Sequence, residues 1–344
     1  MLPDPNAENM TLWDHYHLPN SVEEALAALA TYEGGARVVA GGTDLLLEMQ
    51  QGRKPPVAAL VDVTRIPEMT TITEGDGYIF VGASVTHAEI VQSELLAQHA
   101  TCLVESCGVI GGPQVRNVAT LGGNVAHALP AADGTISLVA LEAEAEIVGC
   151  RLATADRRPP AVRPAQGTAV RGPPSAVSRL PSSVMREWRP VLSLFQGPGK
   201  SAVDQTREMI VGFRFRPTRP GEASAFERIM RPQGVALPIL AIAARLERSG
   251  GLVQQVTIAI GPAGPTPMRA TDAEASLAGR PLNENTIEVA TALVLAQARL
   301  RTSKHRASEV YRRELIEPLV RRCLCVAYER CEQEVVVPEG IGSR

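Results

Sequence analysis

Aromatic residues are scarce in this 344-residue chain, at only 3%. So thin a supply leaves few flat side chains on which nucleic-acid bases could stack. An excess of one charge sign is missing too: 34 Lys and Arg stand against 37 Asp and Glu, a formal net charge of −3. With no basic field to collect a phosphate backbone, a nucleic-acid partner is excluded. No run of about 18 consecutive apolar residues occurs, which excludes a membrane-spanning helix and a membrane role. The opening MLPDPNAENMTLWDHYHLPN has neither a basic start nor an apolar stretch of export-signal type, so a cytoplasmic protein is expected.

Cysteine is sparse as well. The six residues Cys102, Cys107, Cys150, Cys323, Cys325 and Cys331 suit reduced thiols better than a disulfide framework in so long a chain. Three of them fall in RRCLCVAYERC, which reads as helix. At about 100° per residue, Cys323 and Cys325 point to nearly opposite faces, so the three sulfurs do not converge on a metal or cluster. His15, His17, His99 and His305 have no metal-ligand spacing, and no metal site is expected. A single G-x-G-x-x-G is absent and no Walker lysine follows any glycine turn, which disfavours a nicotinamide Rossmann unit and a P-loop. No acid–base dyad or nucleophile motif stands out, so no catalytic side chain is assigned.

What is present divides by texture, and 344 residues suit two or three compact units. Residues 18–65 read as helix, strand, helix, strand, a small α/β unit. Ser21 and Glu24 form a capping box before the periodic Val22, Ala25, Leu26 and Leu29. The strand at 37–40 runs into Gly41-Gly42-Thr43-Asp44, a helix in LLLEMQQ and a strand at 58–63. From about residue 70, two short strands flank a Gly-Asp-Gly turn. A second capping box, Thr86 with Glu89, opens one helix over HAEIVQSELLAQ. Asp133 is placed to cap the helix around TISLVALEA, and the strand AEAEIV follows. Over 222–335, PILAIAARLE and LVQQVTIAIG make a hairpin across Arg248-Ser249-Gly250-Gly251. Helices follow near 271–278 and 286–300. A long helix from Ser308 sets Tyr311, Leu315, Leu319 and Leu324 on one face, with Pro318 kinking or bounding it. Residues 151–187, rich in Arg, Pro, Ala and Ser, bury too little apolar area to offset ordering entropy and read as a disordered surface insertion.

Two glycine turns carry the chemistry. Glycines at 41 and 42 sit between strand and helix, where missing Cβ atoms would let backbone amides approach a phosphate. Thr120-Leu121-Gly122-Gly123-Asn124 offers a second pair of unhindered amides, a hydroxyl and an amide side chain. Asp133, nine residues on, could accept hydrogen bonds from sugar-like hydroxyls. Two such turns about 80 residues apart suit one large dinucleotide lying between them. His127, just beyond the second turn, is read first as a packed or half-exposed side chain and second as a group near the ligand.

These blocks carry a resemblance. VVAGGTDLLLEMQ, YIFVGASVTHAEI, PQVRNVATLGGNVAHALPAAD, LFQGPGK and PMRATDAEASLAGRPL, in that order, resemble the FAD-binding medium subunit of the xanthine dehydrogenase / carbon monoxide dehydrogenase family, over about 15–150 and 188–330. The resemblance implies an α+β fold: a two-part FAD-binding domain of the p-cresol methylhydroxylase/vanillyl-alcohol oxidase type, then a smaller C-terminal α+β domain. The expected boundaries are 1–66, 67–217 with the 151–187 insertion, and 222–335. It implies that Val38, Val39, Ala40, Gly41, Gly42, Thr43, Asp44 and Leu45, with Thr120, Gly122, Gly123 and Asn124, wrap the FAD pyrophosphate. Asp133 would bind the ribityl hydroxyls, and Ile110 would lie against the isoalloxazine.

By the same resemblance the chain is an electron-relay oxidoreductase subunit. A large molybdenum–pterin subunit would oxidise an organic substrate, and a small subunit with two [2Fe–2S] clusters would pass electrons to this chain's FAD. NAD+ or another acceptor would then receive them, in a dimer of heterotrimers. One branch, resembling 4-hydroxybenzoyl-CoA reductase, carries a cysteine-rich [4Fe–4S] insertion after the second Gly-Gly-Asn. Here Asn124 runs straight into VAHALPAAD, which sets that branch aside. The stretch 151–187 departs from the family pattern, and a frame error in the gene, read through and restored, would produce such a segment. A free-standing FAD-dependent oxidase of the same superfamily is the alternative, opposed by the lack of a large substrate domain.

Overall fold

Parallel strands come first along the chain, because the first two are each followed by a helix that carries the chain back over the sheet. In the computed structural model these are β1 (Trp13–His17), α1 (Val22–Thr31), β2 (Ala36–Val39), α2 (Leu45–Gln50) and β3 (Val57–Asp62). Strand β3 pairs in parallel with both β1 and β2, giving the order β1-β3-β2. The structure describes residues 11–150, 184–231, 237–304, 306–333 and 336–338, with only the backbone of Cys150. Helix α1 buries Val22, Ala25, Leu26 and Leu29, the stripe its period predicts. Its capping box is half formed. Ser21 Oγ accepts the Glu24 amide, but the Glu24 carboxylate takes the Asn20 amide at 2.8 Å, one residue earlier than the motif requires.

The next strands, β4 (Ile72–Gly75) and β5 (Tyr78–Gly82), form a hairpin. The expected helix over 87–98 breaks in two, α3 (His87–Gln92) and α4 (Glu94–His99), because Ser93 leaves the helical region and caps α4 at the Leu96 amide. The Thr86–Glu89 box is complete. Then follow α5 (Thr101–Gly108), α6 (Pro113–Arg116), α7 (Leu121–Ala126), α8 (Asp133–Ala140), β6 (Glu144–Cys150), β7 (Val184–Pro190), β8 (Phe195–Gly197), β9 (Lys200–Ser201) and β10 (Glu208–Phe215). The long strands make an antiparallel sheet in the order β4-β5-β10-β6-β7.

Two expectations need correction here. Ala132, not Asp133, holds the N-cap position of α8; Asp133 is its first residue and its carboxylate turns elsewhere. Nor does the insertion reach 187. Residues 184–187 already belong to β7, pairing with β6 from Cys150 back to Ile147. As an edge strand β7 is largely exposed, so its polar composition merges with the low-complexity stretch before it. The rest of that stretch, 151–183, lies outside the described residues.

The C-terminal part is an antiparallel sheet of β11 (Glu222–Ile229), β12 (Leu240–Ser249), β13 (Leu252–Gly261) and β14 (Met268–Arg269), with α9 (Thr271–Leu277), β15 (Arg280–Pro281), α10 (Glu284–Gln297) and α11 (Glu309–Arg330). The β12–β13 hairpin turns at Gly250 and Gly251, whose φ values of +59° and +77° are those a two-residue hairpin turn requires. Helix α11 runs unbroken through Pro318. Its buried stripe includes Leu315, Leu319 and Leu324 with Ile316, Val320, Cys323 and Ala327, while Tyr311 is exposed. Cys323 faces the sheet and Cys325 is half-buried, and no group of three potential metal ligands occurs among the described residues. No helix among the described residues is long and apolar enough to cross a membrane.

One apolar core joins α1, the first two sheets and helices α3, α4, α5, α7 and α8; a second fills the space between the C-terminal sheet and α9–α11. Between them lies a buried polar seam. Glu105 on α5 holds Arg330 of α11 at 2.5 Å and the Phe226 amide of β11 at 2.9 Å.

Candidate functional site

A cavity of about 1150 Å3 opens where the C-terminal end of β2 meets α7, α8 and the β8–β10 segment. Every residue expected at a site lines it: Val38 to Leu45, Ile110, Thr120, Gly122 to Asn124, and Asp133. Nearly a hundred residues of sequence separate the ends of that set, so the fold has gathered them.

The two glycine turns are not equivalent. In the first, no acceptor among the described residues meets the amides of Gly41, Gly42, Thr43, Asp44 and Leu45. A continuous row of open amides is an anion-binding feature. Gly42 adopts φ +66°, which turns the chain so that the row can form. Gly41 is glycine for a different reason: a Cβ there would sit 2.1 Å from the Val118 carbonyl oxygen, where the chain leading to the second turn crosses over.

In the second turn the expected free amides are already taken. The Leu121 amide bonds Val85 O at 3.0 Å, the Gly122 amide Ala83 O at 2.8 Å, and the Gly123 amide Thr120 Oγ1 at 3.1 Å. Gly122 is packed against Ala83, 2.6 Å from where its Cβ would stand. Asn124 Oδ1 accepts from the Thr135 amide and hydroxyl, tying the turn to α8. This turn gives the cavity a close, side-chain-free wall at Gly123, not a set of donors.

Asp133 is 3% exposed, and its Oδ2 takes Arg228 Nη1 at 2.7 Å. Its other oxygen, Oδ1, is buried with no hydrogen-bond partner among the described residues. Burial pushes the carboxyl up, to about 7, while the Arg228 guanidinium pulls it down. Arg228, on β11, was not foreseen. It lies 95 residues away on a strand, EASAFERI, that carries two glutamates as well, so nothing in the sequence singled it out. Nor was His87, the first residue of α3, foreseen at the site. It is 1% exposed, lines the cavity, and its Nδ1 has no hydrogen-bond partner among the described residues. Burial, with Arg116 nearby, pulls it down to about 4, so the ring is neutral at ordinary pH.

Known proteins resolve what the cavity belongs to. Residues 8–155 match the family described as the FAD binding domain in molybdopterin dehydrogenase, and residues 224–326 match the CO dehydrogenase flavoprotein C-terminal domain. The chain belongs to the FAD-binding medium-subunit family of the xanthine dehydrogenase and CO dehydrogenase type. Its similarity to the xanthine dehydrogenase FAD-binding subunit of Escherichia coli O157:H7 is 27% identity over 316 residues, 91% of this chain and 95% of that one. With the carbon monoxide dehydrogenase medium chain of Hydrogenophaga pseudoflava it shares 25% identity over 316 residues, 92% and 97% of the two chains. The solved carbon monoxide dehydrogenase from the same organism superposes with a TM-score of 0.77 at 26% identity, covering 92% of this chain and 98% of that one. As a member of this medium-subunit family the chain is the FAD-binding subunit of an oxidoreductase complex.

Proposed function

We infer that this chain binds one FAD non-covalently in the cavity and relays electrons from the [2Fe–2S] clusters of a small partner subunit to NAD+ or another acceptor. A large molybdenum–pterin subunit would oxidise the organic substrate, in a cytoplasmic dimer of heterotrimers. The bound isoalloxazine supplies the redox chemistry. The observation that carries the reading is the row of open amides at 41–45 in the same cavity as a partnerless carboxylate oxygen on Asp133. A dinucleotide needs both: donors for its pyrophosphate and an acceptor for its ribityl hydroxyls. His87 Nδ1 is a third buried group awaiting a partner, and Gly123 leaves room for close approach. The residues present therefore fit FAD.

In this assignment Gly41 to Leu45 hold the pyrophosphate, with the Thr43 hydroxyl as a further donor and Val38, Val39 and Ala40 as the wall beneath. Thr120, Gly122 and Asn124 brace the second turn so that Gly123 can face the cofactor. Arg228 fixes one oxygen of Asp133 and leaves Oδ1 to the ribityl chain. Ile110 supplies an apolar surface for the ring. The chain is divided at 1–66, 67–217 and 222–335, the first two parts forming the FAD-binding domain.

Asp133→Ala should weaken FAD by about 1.5–3 kcal/mol near pH 8, the usual worth of a hydrogen bond to a charged acceptor. Titration of apoprotein with FAD measures it, and unchanged affinity removes the ribityl assignment.

The relay itself is tested by anaerobic flavin bleaching. The isolated chain should carry FAD without iron and should not be bleached by N-heterocycles, aldehydes or alcohols. Adding the two partner subunits should restore substrate-dependent bleaching. Rapid bleaching of the lone chain by an organic substrate would overturn the relay and favour the oxidase.

A further inference from the structure

We propose that His127 is a positioning residue for the cofactor: a proton-dependent latch that holds the 41–45 turn to α7 and offsets two carboxylates facing the pyrophosphate. The proposal rests on the FAD reading of the cavity and concerns how that same site is regulated.

The open amides end in an electrostatic conflict. Asp44 lies within the row, and Glu48, four residues on along α2, lines the same cavity. Two carboxylates stand where a doubly charged pyrophosphate is to bind, and uncompensated they would oppose it. His127, the residue that ends α7, sits between them. Its Nε2 lies 3.2 Å from Glu48 Oε1 and its Nδ1 3.5 Å from Asp44 Oδ2. A neutral imidazole has one N–H and one lone pair, so one of these nitrogens would present a lone pair to a carboxylate. Only the imidazolium, with N–H on both nitrogens, satisfies both contacts. In that form it neutralises charge beside the pyrophosphate and ties the first turn to the helix of the second.

Other charged groups face this place from each neighbouring element. Lys54, after α2, stands 2.8 Å from Glu48 Oε2. The 199–206 segment packs on the end of α7 through the Gly199 amide to Ala128 O and Gln205 Nε2 to Ala126 O. It brings Lys200 and Asp204 to the cavity, with Glu208 beyond. Asp204 is occupied by Arg207 and Glu208 by Arg189. From α3 comes His87 and from α8 Asp133. Asp133, whose carboxyl burial pushes up to about 7, is a second group beside His127 whose proton bears on FAD. They act in opposite directions on FAD: loss of the His127 proton weakens binding, whereas loss of the Asp133 proton supplies a stronger acceptor.

The experiment is the FAD dissociation constant of the full-length apoprotein, read by flavin fluorescence from about pH 5.5 to 8.5, the span in which a histidine titrates. Asp133→Asn serves as the background, removing the opposing titration. In it, affinity should fall about three- to tenfold as pH rises, the scale of one half-buried ion pair. Adding His127→Gln should flatten the profile at the weaker, high-pH level. Adding His127→Lys, a cation that does not titrate here, should flatten it at a tighter level, a rescue that a merely space-filling role would not produce. Where a His127 variant fails to fold, the Asp44→Asn/Glu48→Gln pair removes the charges that the imidazolium offsets and should flatten the profile equally. A flat profile in the background, or a slope that survives His127→Gln, overturns the proposal. Failure of the native chain to bind FAD at any pH instead sinks the cofactor assignment, and this proposal with it.

Discussion

Gly41→Ala is expected to yield protein that has lost both its flavin and much of its stability, whereas Gly123→Ala should keep the fold and lose flavin alone. The two residues look interchangeable in sequence, each half of a Gly-Gly pair. Their surroundings differ. A Cβ on Gly41 would meet the carbonyl oxygen of Val118 at 2.1 Å and Ala119 Cα at 2.9 Å. Both are backbone atoms, so no rotamer change relieves the clash, and the crossing of the two turns must open. Such overpacking costs about 1–3 kcal/mol or more and displaces the amide row with it. A Cβ on Gly123 would touch only Thr120 Oγ1, at 3.2 Å, and otherwise project into the cavity. Within a helix, Gly→Ala is neutral to favourable for the backbone. Thermal melting and the flavin-to-protein ratio separate the two outcomes. Full flavin occupancy in Gly123→Ala would remove the second turn from the site, and a native melting curve in Gly41→Ala would show that the crossing tolerates a methyl.

The second large effect lies at the seam between the two cores. Glu105 and Arg330 are each about 4% exposed, with 2.5 Å between carboxylate and guanidinium. Each makes a further hydrogen bond: Arg330 Nη1 donates to Ser224 O at 2.9 Å, and Glu105 Oε2 accepts the Phe226 amide. Removing one partner strands a buried charge. Glu105→Ala should therefore destabilise the protein by about 3–5 kcal/mol, lowering the melting temperature by on the order of 10 °C. Glu105→Leu combined with Arg330→Met should be much milder, because replacing both charges by apolar groups leaves neither uncompensated. If the single and double substitutions melt alike, the pair is not what joins α5 to the C-terminal sheet. Because Asp133 and Arg228 cross the same boundary, loosening the seam should also weaken FAD, a coupling that titration of the single variant would reveal.

Much of this was legible from residues close together in the chain. The Thr86–Glu89 box, the stripe of α1, the Gly250-Gly251 hairpin and the divergence of Cys323 from Cys325 all depend on spacings of four residues or fewer, and the backbone honours each. The two glycine turns, with the ordered blocks around them, were enough to show the family. Tertiary structure decided how those turns differ. Whether an amide is open depends on what packs against it: Val85, Ala83 and Thr120 consume the donors of the second turn and leave those of the first free. The same holds for charge. Asp133 reads as a helix cap by position, yet Arg228, 95 residues on, claims one of its oxygens. His127 has carboxylates on both sides only because α2 and α7 meet, with 79 residues between it and Glu48. Caps and periods are settled within a turn or two of helix; hydrogen-bond satisfaction and ion pairing are settled by which distant segments the core brings together.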